Sequence, residues 1–229
     1  MWVVKAQVDA RSRLRVWLAL LGMPVVLGAA FLPFGAYLAI SRGLRGEELA
    51  RALEPIAVLP ASIGFGSAFL LTRWLARRDS LPLADLGWRR PSLADVAVGL
   101  GAGVALWALN AWVLYPLVQA SQPGFDPTLA SVSLPAAAVT MVVAATAEDT
   151  LYRGYAFTVL KDRHGLLPSV LVTTVLYALL TPARGLALVL WAAYFGAVLC
   201  GLRWWRKGLW PVVLAHCVVA LGPKVLAGW

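Results

Sequence analysis

The stretch Ala144-Ala145-Thr146-Ala147-Glu148-Asp149-Thr150-Leu151-Tyr152-Arg153-Gly154-Tyr155-Ala156-Phe157 continues an apolar run that begins at Leu134. Two adjacent carboxylates and an arginine occupy positions where an ordinary membrane helix carries Leu or Ala. A charge at the centre of a bilayer helix costs about 2.5–3.5 kcal/mol on insertion scales, so such groups are paired, functional, or both. On a helix, Asp149 and Arg153 stand at i, i+4 on one face and can neutralise each other. Glu148 is rotated by about 100° from Asp149 and keeps a face of its own. A carboxylate left available beside one held by an arginine is a way to build a general base. The plainer alternative is a structural ion pair at a helix end, with Glu148 in water.

The surroundings of that stretch fix the class. Of 229 residues, 61% are hydrophobic and 14% charged, with a mean hydropathy of +0.77. Soluble domains are about 45–50% apolar and about 25% charged. The composition reads as an all-α, polytopic transmembrane helix bundle forming one integral-membrane domain over residues 1–229. Seven apolar runs are expected as spans: Val16–Ile40, Ile56–Leu75, Leu93–Val118, Leu134–Val159, Leu166–Leu180, Leu186–Leu202 and Leu209–Leu226. The first is too long for a signal-peptide core of about 7–15 residues, and Pro24 and Pro33 are expected to kink it. The last three are short for a crossing that takes about 20 residues. Gly99 and Gly103, in the third run, have the small-xxx-small spacing that lets two helices approach closely.

The net charge of +9 resides in the connections. Fourteen of the 20 Lys and Arg residues fall on the side of the N-terminal lead, the second, the fourth and the sixth loop. Five fall on the other side, and Arg153 belongs to neither. The positive-inside rule then places the N-terminus in the cytoplasm. The expected contacts of these basic residues are membrane lipids, not nucleic acid. Cys200 and Cys217 both lie in apolar runs, which argues against a disulfide framework.

Few other polar side chains interrupt the spans. His216 lies in the seventh, after Leu209-Trp210-Pro211, where an imidazole can act as acid, base or oxyanion donor. It can equally just hydrogen-bond a neighbouring helix. Asn110 suits a helix–helix hydrogen bond, Thr181 a bond to its own backbone, and His164 a solvated turn.

Taken together, Glu148-Asp149-x-x-x-Arg153-Gly154 resembles the E-E-x-x-x-R-G motif of the CPBP intramembrane proteases, which include the type II CAAX prenyl endopeptidases and bacterial bacteriocin-immunity homologues. The family's F-x-x-x-H motif aligns with Tyr177-Ala178-Leu179-Leu180-Thr181. Its third motif, a His followed four residues later by Asn, aligns with His216-Cys217-Val218-Val219-Ala220. Leu86-Gly87-Trp88-Arg89-Arg90 is similar to the family's lead-in to its third helix. The resemblance covers residues 80–222.

It implies an intramembrane endopeptidase that cleaves a membrane-attached protein or peptide near its C-terminus, in a bacterial inner (cytoplasmic) membrane. Glu148 would activate the attacking water, Asp149 and Arg153 would hold it in place, and His216 would polarise the carbonyl or the water. Thr181 would offer a neutral hydroxyl where the family has an imidazole. Catalytic zinc takes three protein ligands, so with one intramembrane histidine a glutamate-based mechanism without metal or other cofactor is expected. Two alternatives stay open. Thr181 and Ala220, in place of His and Asn, suit a catalytically degenerate homologue acting as a membrane binding or scaffold protein. Glu148 and His216 could also relay protons in a small transporter or lipid-handling protein.

Overall fold

A computed structural model describes residues 10–53, 56–121, 133–180 and 186–227. All regular structure among them is helical. The chain runs through α1 (Ala10–Arg42), α2 (Gly46–Leu53), α3 (Val58–Arg78), α4 (Leu93–Leu109), α5 (Tyr115–Ser121), α6 (Leu134–Asp149), α7 (Phe157–His164), α8 (Leu166–Leu180), α9 (Leu186–Arg206) and α10 (Trp210–Ala227). A π-helical segment, Asn110–Leu114, joins α4 to α5, and a second, Thr150–Ala156, joins α6 to α7. Seven rods result among the described residues, as the apolar runs predict.

Five of them are long and apolar enough to cross a membrane, while Leu166–Leu180 and Trp210–Val225 are shorter. The sixth run is therefore longer than its hydropathy suggests, because Arg203 and Arg206 ride on the last turns of α9. The fourth rod also overruns its expected end. Residues 160–164, beyond the run expected to end at Val159, stay helical until Gly165 adopts a φ of +85° and stops α7. The connection after α1 contains the short helix α2, which its charge conceals. Both prolines of the first run lie inside one continuous helix.

Packing follows the small residues. A Cβ on Gly99 would stand 2.8 Å from the Pro211 Cα, and one on Gly103 would stand 3.0 Å from the Ala215 Cα and 2.7 Å from the Val218 Cβ. One helical turn along α4 thus advances contact by one turn along α10, so the two helices run parallel with their backbones in close approach. The small-xxx-small pair is the seam of this contact. Elsewhere α1 packs on α3, α3 on α6, and α8 on α9.

One end of the bundle is tied by polar contacts between connections distant in sequence. Arg15 at the start of α1 pairs with Asp79 at the end of α3, and Asp79 also accepts from the Tyr155 hydroxyl at 2.5 Å. The Leu209 amide donates to the Gly87 carbonyl at 2.9 Å, and the Trp210 indole donates to the Arg89 carbonyl at 2.8 Å. Arg206 pairs with Asp95 at 2.9 Å, where Asp95 closes a capping box with Ser92 at the start of α4. The lead, the second and the sixth connection, all basic, therefore share one end. Cys200 and Cys217 are free thiols.

Candidate active site

The acidic stretch lies where α6 passes into the π-helical segment. Glu148 and Asp149 are its last α-helical residues, and Arg153 lies within the wider, i→i+5 bonded turn. Such π segments occur frequently at functional sites. Asp149 is fully buried and Arg153 is 1% exposed, and they form an ion pair at 3.2 Å. The guanidinium also lies 4.1 Å from the centroid of the Tyr177 ring, a cation–π contact.

Two glycines make room for this arginine and its segment. A Cβ on Gly196 of α9 would come within 3.2 Å of the Arg153 Nη2 and of the Tyr177 ring. A Cβ on Gly154 would come within 3.2 Å of the Leu86 carbonyl and of Leu209, the two connections that close over the segment. Trp88 reaches in from the same connection and donates its indole N–H to the Thr150 hydroxyl at 3.0 Å.

His216, projecting from α10, meets both carboxylates. Its Nδ1 is 3.2 Å from the Asp149 Oδ2, and its Nε2 is 3.8 Å from the Glu148 Oε2. The first distance is at the limit of a hydrogen bond, and the second exceeds it. Asp149 thus divides its oxygens, Oδ1 to Arg153 and Oδ2 to the imidazole. An ionised carboxylate only accepts, so this contact places the proton on Nδ1. In the neutral ring, Nε2 is then bare and directed toward Glu148. The Phe195 ring meets the imidazole edge-to-face at 5.1 Å and 77°.

The Glu148 side chain keeps 19% of its surface exposed and opens onto a cavity of about 280 Å³. Its other walls are apolar or aromatic, from α1 (Met23, Leu27, Phe31), α3 (Ala61, Phe65) and the site's own Tyr152 and Tyr177. A carboxylate with a bare imidazole nitrogen beside it, facing an apolar cavity, can take a proton from a water and present that water to an apolar ligand.

The structure brings Glu148, Asp149, Arg153 and His216 into one cluster. Thr181 lies outside the described residues. Ala220 offers no polar group where the family motif has Asn. Asn110 is placed elsewhere, accepting from the Trp191 indole of α9 at 2.7 Å. His164 is exposed at the end of α7. Among the described residues, the donor set falls short of that of a catalytic zinc. Both Asp149 oxygens are engaged, which leaves Glu148 and His216 where three protein ligands are needed. Among the described residues, no group of three or more His, Cys, Asp or Glu side chains converges to hold a metal. Phe195 and Gly196 belong to the site without a sequence signal of their own, while Tyr152 and Trp88 lie in stretches read for other residues.

Residues 130–222 match the family model described as type II CAAX prenyl endopeptidase Rce1-like. The match takes in the acidic stretch, the aligned second motif and His216, while α1, α3 and α4 lie before it. No curated protein and no solved structure matches the chain. Residues 130–222 of the helical bundle, with the acidic stretch and the histidine of α10, are therefore similar to the type II CAAX prenyl endopeptidase Rce1-like family.

Proposed function

We propose that the protein is an intramembrane endopeptidase in which Glu148 activates water against a peptide bond of a membrane-attached protein, near its C-terminus. The observation that carries this reading is the 3.8 Å separation of the Glu148 Oε2 and the His216 Nε2 beside an apolar cavity. A water bonded to both at about 2.8 Å would stand at the apex between them. Glu148 takes its proton as the oxygen adds to the carbonyl carbon, and returns it to the leaving amine as the carbon–nitrogen bond breaks. His216 orients the water through Nε2. Asp149 and Arg153 are positioning residues: the first fixes the ring through Nδ1, the second holds the first. Thr181 supplies at most a neutral hydroxyl. A metal-free, glutamate-based reaction suits the donor set better than zinc does.

The cavity's apolar lining favours a substrate with a bulky apolar group beside the cleaved bond. The basic end of the bundle faces the cytoplasm in this reading, with the N-terminus on that side and anionic lipids around it, as in a bacterial inner membrane.

Thr181 and Ala220 favour a second reading, a scaffold that keeps the bundle without the chemistry. Cleavage of membrane-attached candidate substrates by the unaltered protein and by Glu148→Gln separates the two. Gln keeps the shape but not the base, so turnover falls about 10²-fold or more for a protease. Identical processing by both proteins, with every candidate left uncut, supports the scaffold.

A further inference from the structure

Two side chains outside the site, Asn110 and Trp191, form a continuous line to His216 through Phe195. Asn110 is 1% exposed and stands at the first residue of the π-helical segment between α4 and α5. Its Oδ1 accepts the Trp191 indole N–H at 2.7 Å. Trp191 stacks on Phe195, one turn further along α9, with ring centroids 5.3 Å apart and planes within 4°. Phe195 in turn meets the His216 ring at 5.1 Å and 77°.

Each link constrains the next. The Asp149 and Glu148 contacts are made at the two nitrogens of the imidazole. They locate those nitrogens but leave the tilt of the ring about the line through them to whatever covers its face and edge. Phe195 is that cover. A near-parallel stack ties the Phe195 plane to the Trp191 plane. An indole has one N–H and a flat face that fits equally well when turned over, and only one of those two orientations reaches Asn110. The amide therefore selects the Trp191 orientation, and with it the Phe195 plane. A buried amide in a membrane span is costly unless bonded, and here its oxygen accepts from an aromatic two contacts from the imidazole, while its side chain also bonds Tyr115 on its own rod.

We propose that Asn110 and Trp191 are positioning residues for His216, acting through Phe195 to hold the imidazole with Nδ1 on Asp149 and Nε2 toward Glu148. The proposal rests on the reading of His216 as a member of the active site. The line starts in the α4–α5 rod, before the family match begins, and ends in α10. It recruits the non-matching part of the chain to orient the histidine. A mere helix–helix hydrogen bond would hold α9 against the α4–α5 rod and leave the imidazole indifferent.

The chain has only two histidines, His164 and His216, so selective 15N and 13C histidine labelling yields a spectrum with an internal control. In the unaltered protein in micelles, His216 is expected to give one set of ring signals, with a protonated Nδ1 and a bare Nε2. In Trp191→Phe, which keeps a stacked ring but loses the N–H, and in Asn110→Leu, the His216 ring protons are expected to shift. Its two nitrogens should also move toward the average of both tautomers, while His164 stays put. The double variant should shift no further than the larger single one, since both substitutions cut the same line. If Asn110→Leu fails to fold, Trp191→Phe decides alone. Unchanged His216 signals in a folded Trp191→Phe overturn the proposal, as do additive shifts in the double variant. The readout needs no substrate, so a protein that cleaves nothing yet shows these shifts refutes the protease reading and leaves this one intact.

Discussion

Asp149 lies closer to His216 than Glu148 does, at 3.2 Å against 3.8 Å, although both carboxylates face the same imidazole. The difference divides their labour. The nearer, fully buried carboxylate is committed to Nδ1 and to Arg153, and the farther one is left beyond hydrogen-bond distance of Nε2, with a face on the cavity. Adjacent residues come to such different situations because the helix changes form directly after them.

Arg153→Ala should be severely destabilising. It leaves the buried Asp149 charge with only the imidazole and empties the space that Gly196 provides beside Tyr177. Breaking a buried pair by removing one partner costs about 3–5 kcal/mol. Thermal unfolding in detergent measures this. A midpoint equal to that of the unaltered protein would show that the pair contributes nothing to the bundle.

Gly103→Ala should destabilise through overpacking, by about 1–3 kcal/mol, because its new Cβ would collide with Val218 on α10. Gly101→Ala is the control: no atom lies within 4 Å of a Cβ there, and its effect should be small. Melting curves of the two variants, recorded side by side, should diverge.

Ala61→Phe places an aromatic ring in the cavity beside Glu148 without touching the polar cluster. For peptides with a bulky apolar residue beside the cleaved bond, kcat/KM should fall about 10-fold or more. Peptides with alanine there should be cut as before. Equal losses for both peptides would mean that the cavity does not select the substrate.

Thr181→His restores the family's imidazole and should raise turnover if Thr181 limits the reaction, since a donor at a developing oxyanion is worth about 10²–10³ in rate. EDTA should leave the unaltered protein unaffected, because its donor set is short of a zinc ligand. Inhibition that added zinc reverses would require a ligand beyond those in the cluster.

The bundle was legible because each rod is an apolar run and each connection carries charge or a helix breaker. The Asp149–Arg153 pair was legible because i, i+4 spacing survives into the π segment. That segment itself left no trace. Residues 150–156 include no proline, and the change to i→i+5 bonding is set by what packs around it, Leu86, Leu209 and Trp88 among others. The bond between Asp149 and His216 was equally hidden. Sequence spacing pairs Asp149 with an arginine on its own helix and says nothing of a second partner 67 residues away. Phe195 and Trp191 were invisible for the opposite reason, since aromatics in an apolar helix are ordinary there. Gly99 and Gly103 could be read in advance because close approach of two membrane helices demands small residues at a fixed interval.

The ion pair has a consequence for biosynthesis. A membrane chain delivered to the bilayer in sequence order presents Asp149 and Arg153 before the helix that carries His216 has been made. The two opposite charges travel on one rod, four residues apart, and neutralise each other from the start. Only Glu148 then enters without a counter-charge, and a lone carboxylate can enter protonated. Were the arginine carried on α10 instead, both acids would wait unpaired in the bilayer, at about 2.5–3.5 kcal/mol per charge. Placing the cation within the acidic stretch lets the fourth rod insert on its own terms, and the arrival of His216 then completes the cluster last.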